Sequence, residues 1–290
     1  WESTEPGSTF KLASLLVGLE DGKIDTAQMV DTENGIYTIY GKHVRDSNVK
    51  NGQGGYGRIS VAEAFRVSSN TGIVKAVYGA YKDSPQEFVD QLYNMGLQRK
   101  TGIKIKGEKA PSIPTPKDKN WSGLSLPWMI FGYEVSFTPL QMLAFYNAIA
   151  NDGVLVKPQI VTSISRHGHK EETFEPEVLN PSICSKETIK QLQALLKGVV
   201  ERGTATNIYS DKLEMAGKTG TCQLNYWTGK PEYQASFAGY FPANDPKYSC
   251  IVVINKPKYD LGYYGGTVAG PVFKTIAEEV YLSMPELIVP

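Results

Sequence analysis

Glu5-Pro6-Gly7-Ser8-Thr9-Phe10-Lys11-Leu12-Ala13-Ser14-Leu15-Leu16 is the stretch on which the reading of this chain turns. Leu12, Leu15, Leu16 and Leu19 recur at helical spacing, Pro6 suits a first turn and Gly22 is placed to end it. The pattern predicts a helix from about Pro6 to Asp21. Inside it, Ser8 and Lys11 form an SxxK pair. Three residues advance a helix by about 300° and about 4.5 Å, which sets hydroxyl and amine on neighbouring parts of one face. A serine hydroxyl needs an adjacent base, and a lysine whose ammonium form is disfavoured by burial supplies a neutral amine near pH 7. The helix start also directs backbone N–H groups and the positive end of the dipole at the Ser8 region, which favours a developing oxyanion. Taken alone, SxxK occurs by chance in many chains.

Two further patterns join it. Ser68-Ser69-Asn70 follows a helical stretch from about Val61 to Val67, where a hydroxyl and a carboxamide two apart can share one side of a loop. One can relay a proton while the other binds a peptide group, although ordinary Ser and Asn capping of a helix end explains the same residues. Lys218-Thr219-Gly220-Thr221 opens a strand-like run. Period-2 alternation puts Thr219 and Thr221 on one side, Gly220 would let a substrate backbone approach, and a lysine with two hydroxyls suits a carboxylate. Ser8, Ser68 and Lys218 stand 60 and then 150 residues apart, in the order SxxK, SxN, KTG.

Working outward, helical patterns return at Pro85 to Met95, Pro139 to Asn151 and Lys186 to Glu201, with a Pro-punctuated loop from Gly107 to Pro127. Val154 to Phe174 reads as a hairpin with His167-Gly168-His169 at its tip. Met215 to Gln223, Gln234 to Phe241 and Tyr248 to Ile254 read as an antiparallel meander, closed by a helix from Pro271 to Leu282. The order predicts an α+β domain with a helical insertion. Gly52 to Gly57 spells GxGxxG, but no hydrophobic strand precedes it, so it reads as a loop.

Composition narrows the function classes. Thirty basic against thirty acidic residues leave no net charge, which argues against a nucleic-acid binder. Cys184, Cys222 and Cys250 lie far apart, without zinc or disulfide-framework spacing. His167 and His169 have no third ligand in view, so neither metal nor other cofactor is expected. No window reaches the length of a membrane span.

The three motifs together are those of penicillin-binding proteins and class A β-lactamases. The chain resembles the transpeptidase domain of class B penicillin-binding proteins across nearly its whole length. Glu5 to Lys11, Arg45-Asp46-Ser47, Ser68 to Gly72, Thr101-Gly102-Ile103 with Gly107-Glu108, Gly132-Tyr133-Glu134 with Thr138 to Gln141, Asn151-Asp152-Gly153, and Tyr263 to Gly266 with Ala269 to Phe273 carry the likeness. Gly132 to Gln141 and the Arg45-Asp46 region look most like the division-specific FtsI, or penicillin-binding protein 3, branch. The resemblance implies the penicillin-binding transpeptidase and serine β-lactamase-like fold, an antiparallel sheet flanked by helices with a mainly helical subdomain. Residues 1–290 would form one such domain, helical over about 25–150 and sheet-containing over about 1–24 and 185–290.

It also implies acyl transfer. Ser8 would attack the D-Ala-D-Ala bond of a peptidoglycan stem peptide with Lys11 as base, and Ser68 and Lys218 would pass the proton to the leaving amine. Asn70 would hold the substrate amide, Thr219 and Thr221 would bind the terminal carboxylate with Gly220 as a further substrate-binding residue, and the N–H groups of Ser8 and Thr221 would form the oxyanion hole. β-Lactam antibiotics would acylate Ser8. Partners would be divisome membrane proteins, including a glycosyltransferase, at the periplasmic or extracytoplasmic face of the inner membrane, with an anchor outside this sequence. The family places further residues before the nucleophile helix, so an N-terminally truncated domain is expected. A serine β-lactamase and the penicillin-sensor domain of a signalling receptor share the motifs. Glu108 follows SxN at a distance like that of the β-lactamase deacylating Glu, but its Gly107-Glu108 setting favours a structural loop role. Cys222, where the family usually has a small residue, reads as core packing facing away from Thr221.

Overall fold

The computed structural model describes residues 2–225, 232–258, 260 and 262–283. A 3₁₀ turn over Gly7–Phe10 runs directly into α1 (Lys11–Glu20). Every residue of α1 from Lys11 to Leu19 is buried, including Ser14 and Gly18 on the face opposite the leucines. A helix closed in on all sides has to be a central element, and α1 packs against α3 (Asn70–Tyr81), α4 (Pro85–Asn94) and α7 (Lys186–Arg202). Its polar groups are satisfied locally: Ser14 Oγ donates to Ile130 O at 2.8 Å. At its far end Glu20 accepts from Ser185 N and Oγ and from Thr188 Oγ1, which ties α1 to the start of α7.

The expected meander is present as β9 (Ala216–Leu224), β10 (Glu232–Phe241) and β11 (Tyr248–Asn255), antiparallel in the order β11-β10-β9. Thr219 pairs with Phe237 and Thr221 with Ala235. One side of β10 packs on α8 (Gly265–Ser283) through Phe237 and Phe273, whose ring centroids are 4.6 Å apart, and α6 (Pro139–Ala150) also packs on β10 and β11. The nucleophile turn lies against β9, at the edge of this sheet.

Four expectations change. Asn70–Tyr81 forms α3, where no helix was expected, because Ser69 Oγ caps it by accepting from Gly72 N at 2.9 Å. Gly72 and the β-branched Ile73 and Val74 weaken the local signal, and tertiary burial overrides it. The loop from Gly107 to Pro127 ends in α5 (Ser125–Ile130), whose Pro127 sits in the first turn, where a missing N–H costs nothing. The closing helix begins at Gly265, with Pro271 inside it. Gly265 is required there by contact, since a Cβ would meet Ser236 O at 2.3 Å and Gly220 O at 2.4 Å. Finally, Val154 to Phe174 is not one hairpin. Leu155–Val156 (β5) pairs with Val178–Asn180 (β8), while Ser163–Arg166 (β6) and His169–Thr173 (β7) make the hairpin, turned by His167 and Gly168 with His169 in the strand.

Between Asp31 and Gly57 lies a hairpin of β2 (Ile36–Ile39) and β3 (Lys42–Arg45). It is flanked by β1 (Met29–Asp31) paired with β4 (Arg58–Ser60), which leads into α2 (Val61–Arg66). Gly52 to Gly57 is loop, as expected.

One backbone approach fixes the nucleophile turn. Gly132 has φ of 90°, its carbonyl accepts from Gly7 N at 3.1 Å, and a Cβ there would lie 2.0 Å from Gly7 O. Gly132→Ala is expected to cost about 2–4 kcal/mol, from left-handed strain plus displacement of a main-chain contact. Chemical denaturation of the variant and the parent protein measures it.

Candidate active site

Ser8, Ser68, Asn70, Thr219 and Thr221, from three separate parts of the sequence, line one cleft of about 1020 Å³. Ser8 is placed by the 3₁₀ turn. Thr9 donates to Pro6 O at 2.9 Å, Tyr146 OH donates to Thr9 O at 2.9 Å, and Thr9, Phe10 and Lys11 are buried while Ser8 remains half-buried at the cleft. Gly7, at φ 56°, lets this turn lie on β9, because a Cβ would sit 2.9 Å from Thr221 O.

Ser68 occupies the bend between α2 and α3 with φ of 58°, a left-handed conformation that few serines adopt. This bend brings its hydroxyl between two fully buried lysines. Lys11 Nζ donates to Ser68 O at 2.7 Å and to Ser68 Oγ at 3.2 Å. Lys218 Nζ donates to the same Oγ at 2.8 Å and to Thr219 O at 3.1 Å. Burial lowers the Lys11 amine to about 7, against the opposing pull of Asp46. Burial also puts Lys218 well below the usual lysine range, and the positive charge of Lys11 pushes it further down. A neutral amine has two N–H donors and one lone pair. With both donors of Lys11 on Ser68, its lone pair is left uncommitted, three residues along the chain from Ser8.

Asp46 is the residue the motif search missed as part of the site. It is buried at the end of β3, and its carboxylate accepts from Ser69 Oγ at 3.1 and 3.0 Å, from Thr71 N at 2.9 Å and from Thr71 Oγ1 at 2.7 Å. Asn70 Nδ2 donates to Arg45 O at 2.7 Å. The Ser-Ser-Asn bend is thus clamped by the strand end, and Ser69 performs the capping while Ser68 is freed to face the lysines. No local signal could give this, because Asp46 and Ser69 are 23 residues apart.

On β9 the alternation holds: Thr219 and Thr221 both face the cleft. Thr219 Oγ1 lies 2.7 Å from Thr204 Oγ1, and Thr221 Oγ1 accepts from Gly265 N at 3.1 Å. Thr204 and Asn207, outside every motif, complete this wall. Gly220 differs from expectation. The position of its absent side chain is not open to the cleft but is filled by Ser236 Oγ at 2.3 Å and Thr9 Cγ2 at 2.9 Å, so the glycine seats the nucleophile turn rather than making room for substrate. Cys222 is buried, with Sγ 3.9 Å from Glu5 Oε2, and burial with the Glu5 charge pushes its thiol up to about 12. Such a thiol packs and does not react.

Glu108 accepts from Thr101 N, Gly102 N and Gln141 Nε2 at 2.8, 3.1 and 2.9 Å, outside the cleft. Burial works against its charge, but these hydrogen bonds hold the carboxyl below its usual range, as befits a loop staple. Among the described residues no three His, Cys, Asp or Glu side chains are grouped to hold a metal ion.

The chain matches the family model described as penicillin binding protein transpeptidase domain over residues 1–278. It is 32% identical over 285 residues to penicillin-binding protein PbpB of Mycolicibacterium smegmatis, covering 94% of this chain and 42% of that protein. It is 29% identical over 280 residues to peptidoglycan D,D-transpeptidase FtsI of Buchnera aphidicola, covering 95% of this chain and 45% of that protein. The chain therefore spans less than half the length of these relatives. The structure of penicillin-binding protein 3 from Mycobacterium tuberculosis complexed with aztreonam superposes with a TM-score of 0.82 at 28% identity, over 100% of this chain and 64% of that one.

With acylation of Ser8 as the readout, the rate constant is expected to rise with pH through about 7 and then level, since protonation of Lys11 below that value removes the lone pair. Asp46 favours the charged amine, so Asp46→Asn is expected to move the midpoint down by on the order of 1 pH unit. Acylation rates measured from pH 5 to 9 on both proteins check the sign.

Proposed function

The chain belongs to the penicillin-binding protein transpeptidase family, and on that premise we propose that it is the catalytic part of a serine D,D-transpeptidase that cross-links peptidoglycan stem peptides. The observation that carries this reading is the Ser68 hydroxyl shared by two buried amines, one of them lowered to about 7, beside Ser8. Ser8 Oγ attacks the carbonyl of the penultimate D-alanine as its proton passes to Lys11. The C–N bond breaks, and the proton travels through Ser68, with Lys218 holding that hydroxyl, to the departing D-alanine amine. Asn70 receives the substrate amide, and Thr219 and Thr221 receive the terminal carboxylate. An amine from a second stem then displaces Ser8, leaving a new amide and a regenerated hydroxyl.

The edge position of β9 supports this arrangement, since a substrate strand can lie along its unpaired side. A β-lactam would be trapped in the same way. Among the described residues the cleft has a single carboxylate, Asp46, whose oxygens are committed to Ser69 and Thr71. With no free carboxylate to activate water, a stable acyl-enzyme is favoured over the β-lactamase reading. Septal wall synthesis, divisome partners with a glycosyltransferase among them, and an extracytoplasmic membrane-anchored location follow from the likeness of Gly132 to Gln141 and Arg45-Asp46 to the division branch. Among the described residues no helix is long and apolar enough to cross a membrane.

The test is intact-protein mass after incubation with benzylpenicillin, followed by transfer from a D-alanyl thioester donor to an added amine. One stable adduct, absent in Ser8→Ala, together with amide product, is expected. Rapid loss of the adduct with drug consumption would establish a β-lactamase. A stable adduct with no amide transfer would point to a sensor.

A further inference from the structure

Away from the cleft, and sharing no residue with it, a pocket of about 330 Å³ lies between the end of α4, the start of α6 and the β5–β8 pair. Small-molecule sites span roughly 300–1,000 Å³, so this one suits a small ligand. Its floor is apolar and preformed. Ala144 and Phe145 face it from α6, and Leu97, Phe137 and Leu155 close it, all five buried. Phe137 exchanges main-chain hydrogen bonds with Thr4 in both directions, at 3.0 Å each, and its ring centroid lies 5.6 Å from that of Phe10. A floor already held in this way has little freedom left to lose on binding.

The rim carries charge of one sign. Gly96, at φ 90°, turns the chain after α4, and Gln98, Arg99 and Lys100 follow along the pocket. Arg99 and Lys100 are exposed, and among the described residues neither side chain makes an ion pair or a hydrogen bond. No Asp or Glu lines the pocket. Glu108 adjoins it through Thr101 and Gln141, but its oxygens are spent on Thr101 N, Gly102 N and Gln141 Nε2. Gln141 Oε1 accepts from Thr138 N, and Asn180 Nδ2 donates to Asn94 O. Gln98 differs from these amides: its Oε1 is buried with no hydrogen-bond partner among the described residues. A buried acceptor left unpaired is costly, and rotation of the carboxamide toward the adjoining pocket presents it to a donor there.

Two cations without an acid suit a carboxylate, the neighbouring acceptor suits an N–H group, and the floor suits an apolar body. An N-acylated amino acid holds all three within a few bonds, its carboxylate and amide N–H on one carbon. We propose that this pocket binds a small N-acyl amino acid with an apolar side chain. Its carboxylate lies at Arg99 and Lys100, its N–H at Gln98 and its side chain on Phe137 and Phe145. The inference stands apart from the transpeptidase reading, since no residue of the cleft takes part.

Three probes that share one body separate the contributions: N-acetylphenylalanine, its uncharged C-terminal amide, and the N-methylated acid that has lost the N–H. Dissociation constants come from ligand-observed NMR titration, with each enantiomer measured separately. The acid is expected to bind about fivefold more tightly than the C-terminal amide at low salt, and about fivefold more tightly than the N-methylated acid. Replacing both cations, Arg99→Gln with Lys100→Gln, should bring the first ratio to near unity and leave the second. Gln98→Met, which keeps the length of the side chain and removes the acceptor, should do the reverse. Each ratio is internal to one protein, so a variant that folds less completely does not imitate the pattern. An acid bound in the cleft instead would keep its preference over the amide in the Arg99→Gln, Lys100→Gln protein, and that result would overturn the proposal. Equal binding of all three probes by the wild-type chain, or no saturable binding of the acid up to its solubility limit, would overturn it as well.

Discussion

Everything at the candidate site depends on a hydroxyl held between two amines that have been taken out of water. Leaving an ammonium group buried without a full complement of partners costs several kcal/mol, so Lys11 and Lys218 are under pressure to lose their protons. The structure does not relieve this pressure with an ion pair at either amine. It supplies neutral oxygens, Ser68 O and Oγ to one and Ser68 Oγ and Thr219 O to the other, and keeps the nearest carboxylate, Asp46, engaged with Ser69 and Thr71. An amine so placed is a base. The same lysine paired directly with a carboxylate would be an ordinary structural cation.

That constraint explains why α1 is buried on every face. An SxxK pair on a surface helix would leave its lysine hydrated and charged, with an ordinary lysine pKa. Packing α3, α4 and α7 around α1 removes water from Lys11, and laying β9 along the preceding turn buries Lys218. Glycines make the approach possible. Gly7 meets Thr221 O, Gly132 meets Gly7 O, and Gly220 meets Thr9 and Ser236, so three backbone segments converge where side chains would hold them apart. Their absence of side chains therefore serves the electrostatics as much as the packing.

Sequence patterns were legible where periodicity and chemistry coincide. The first helix, the meander and the Thr219–Thr221 face follow from spacing within single elements, and the structure places them as expected. What remained hidden depends on contacts between distant segments. The helix from Asn70 begins because Ser69 caps it and Asp46 fixes the cap; the helix from Gly265 begins where it does because only glycine fits against β9 and β10. Gly220 was misread for the same reason, since a strand's alternation tells which residues share a face but not what stands opposite.

Asp46 is where these levels meet. As a helix-capping clamp it determines where the Ser68 hydroxyl lies; as a buried negative charge it raises the proton affinity of Lys11 against the effect of burial. The two actions cannot be separated by moving the carboxylate. Brought closer to Lys11, it would clamp the Ser-Ser-Asn bend less well and hold the amine charged; withdrawn, it would lower the amine further but release the bend. Its four hydrogen bonds settle the balance by holding it on Ser69 and Thr71, where it still biases Lys11 without a hydrogen bond to it. Arg45 is then left on the outer side of the same strand end with its charge uncompensated by its neighbour, so the placement that tunes the base also leaves a cation facing the cleft.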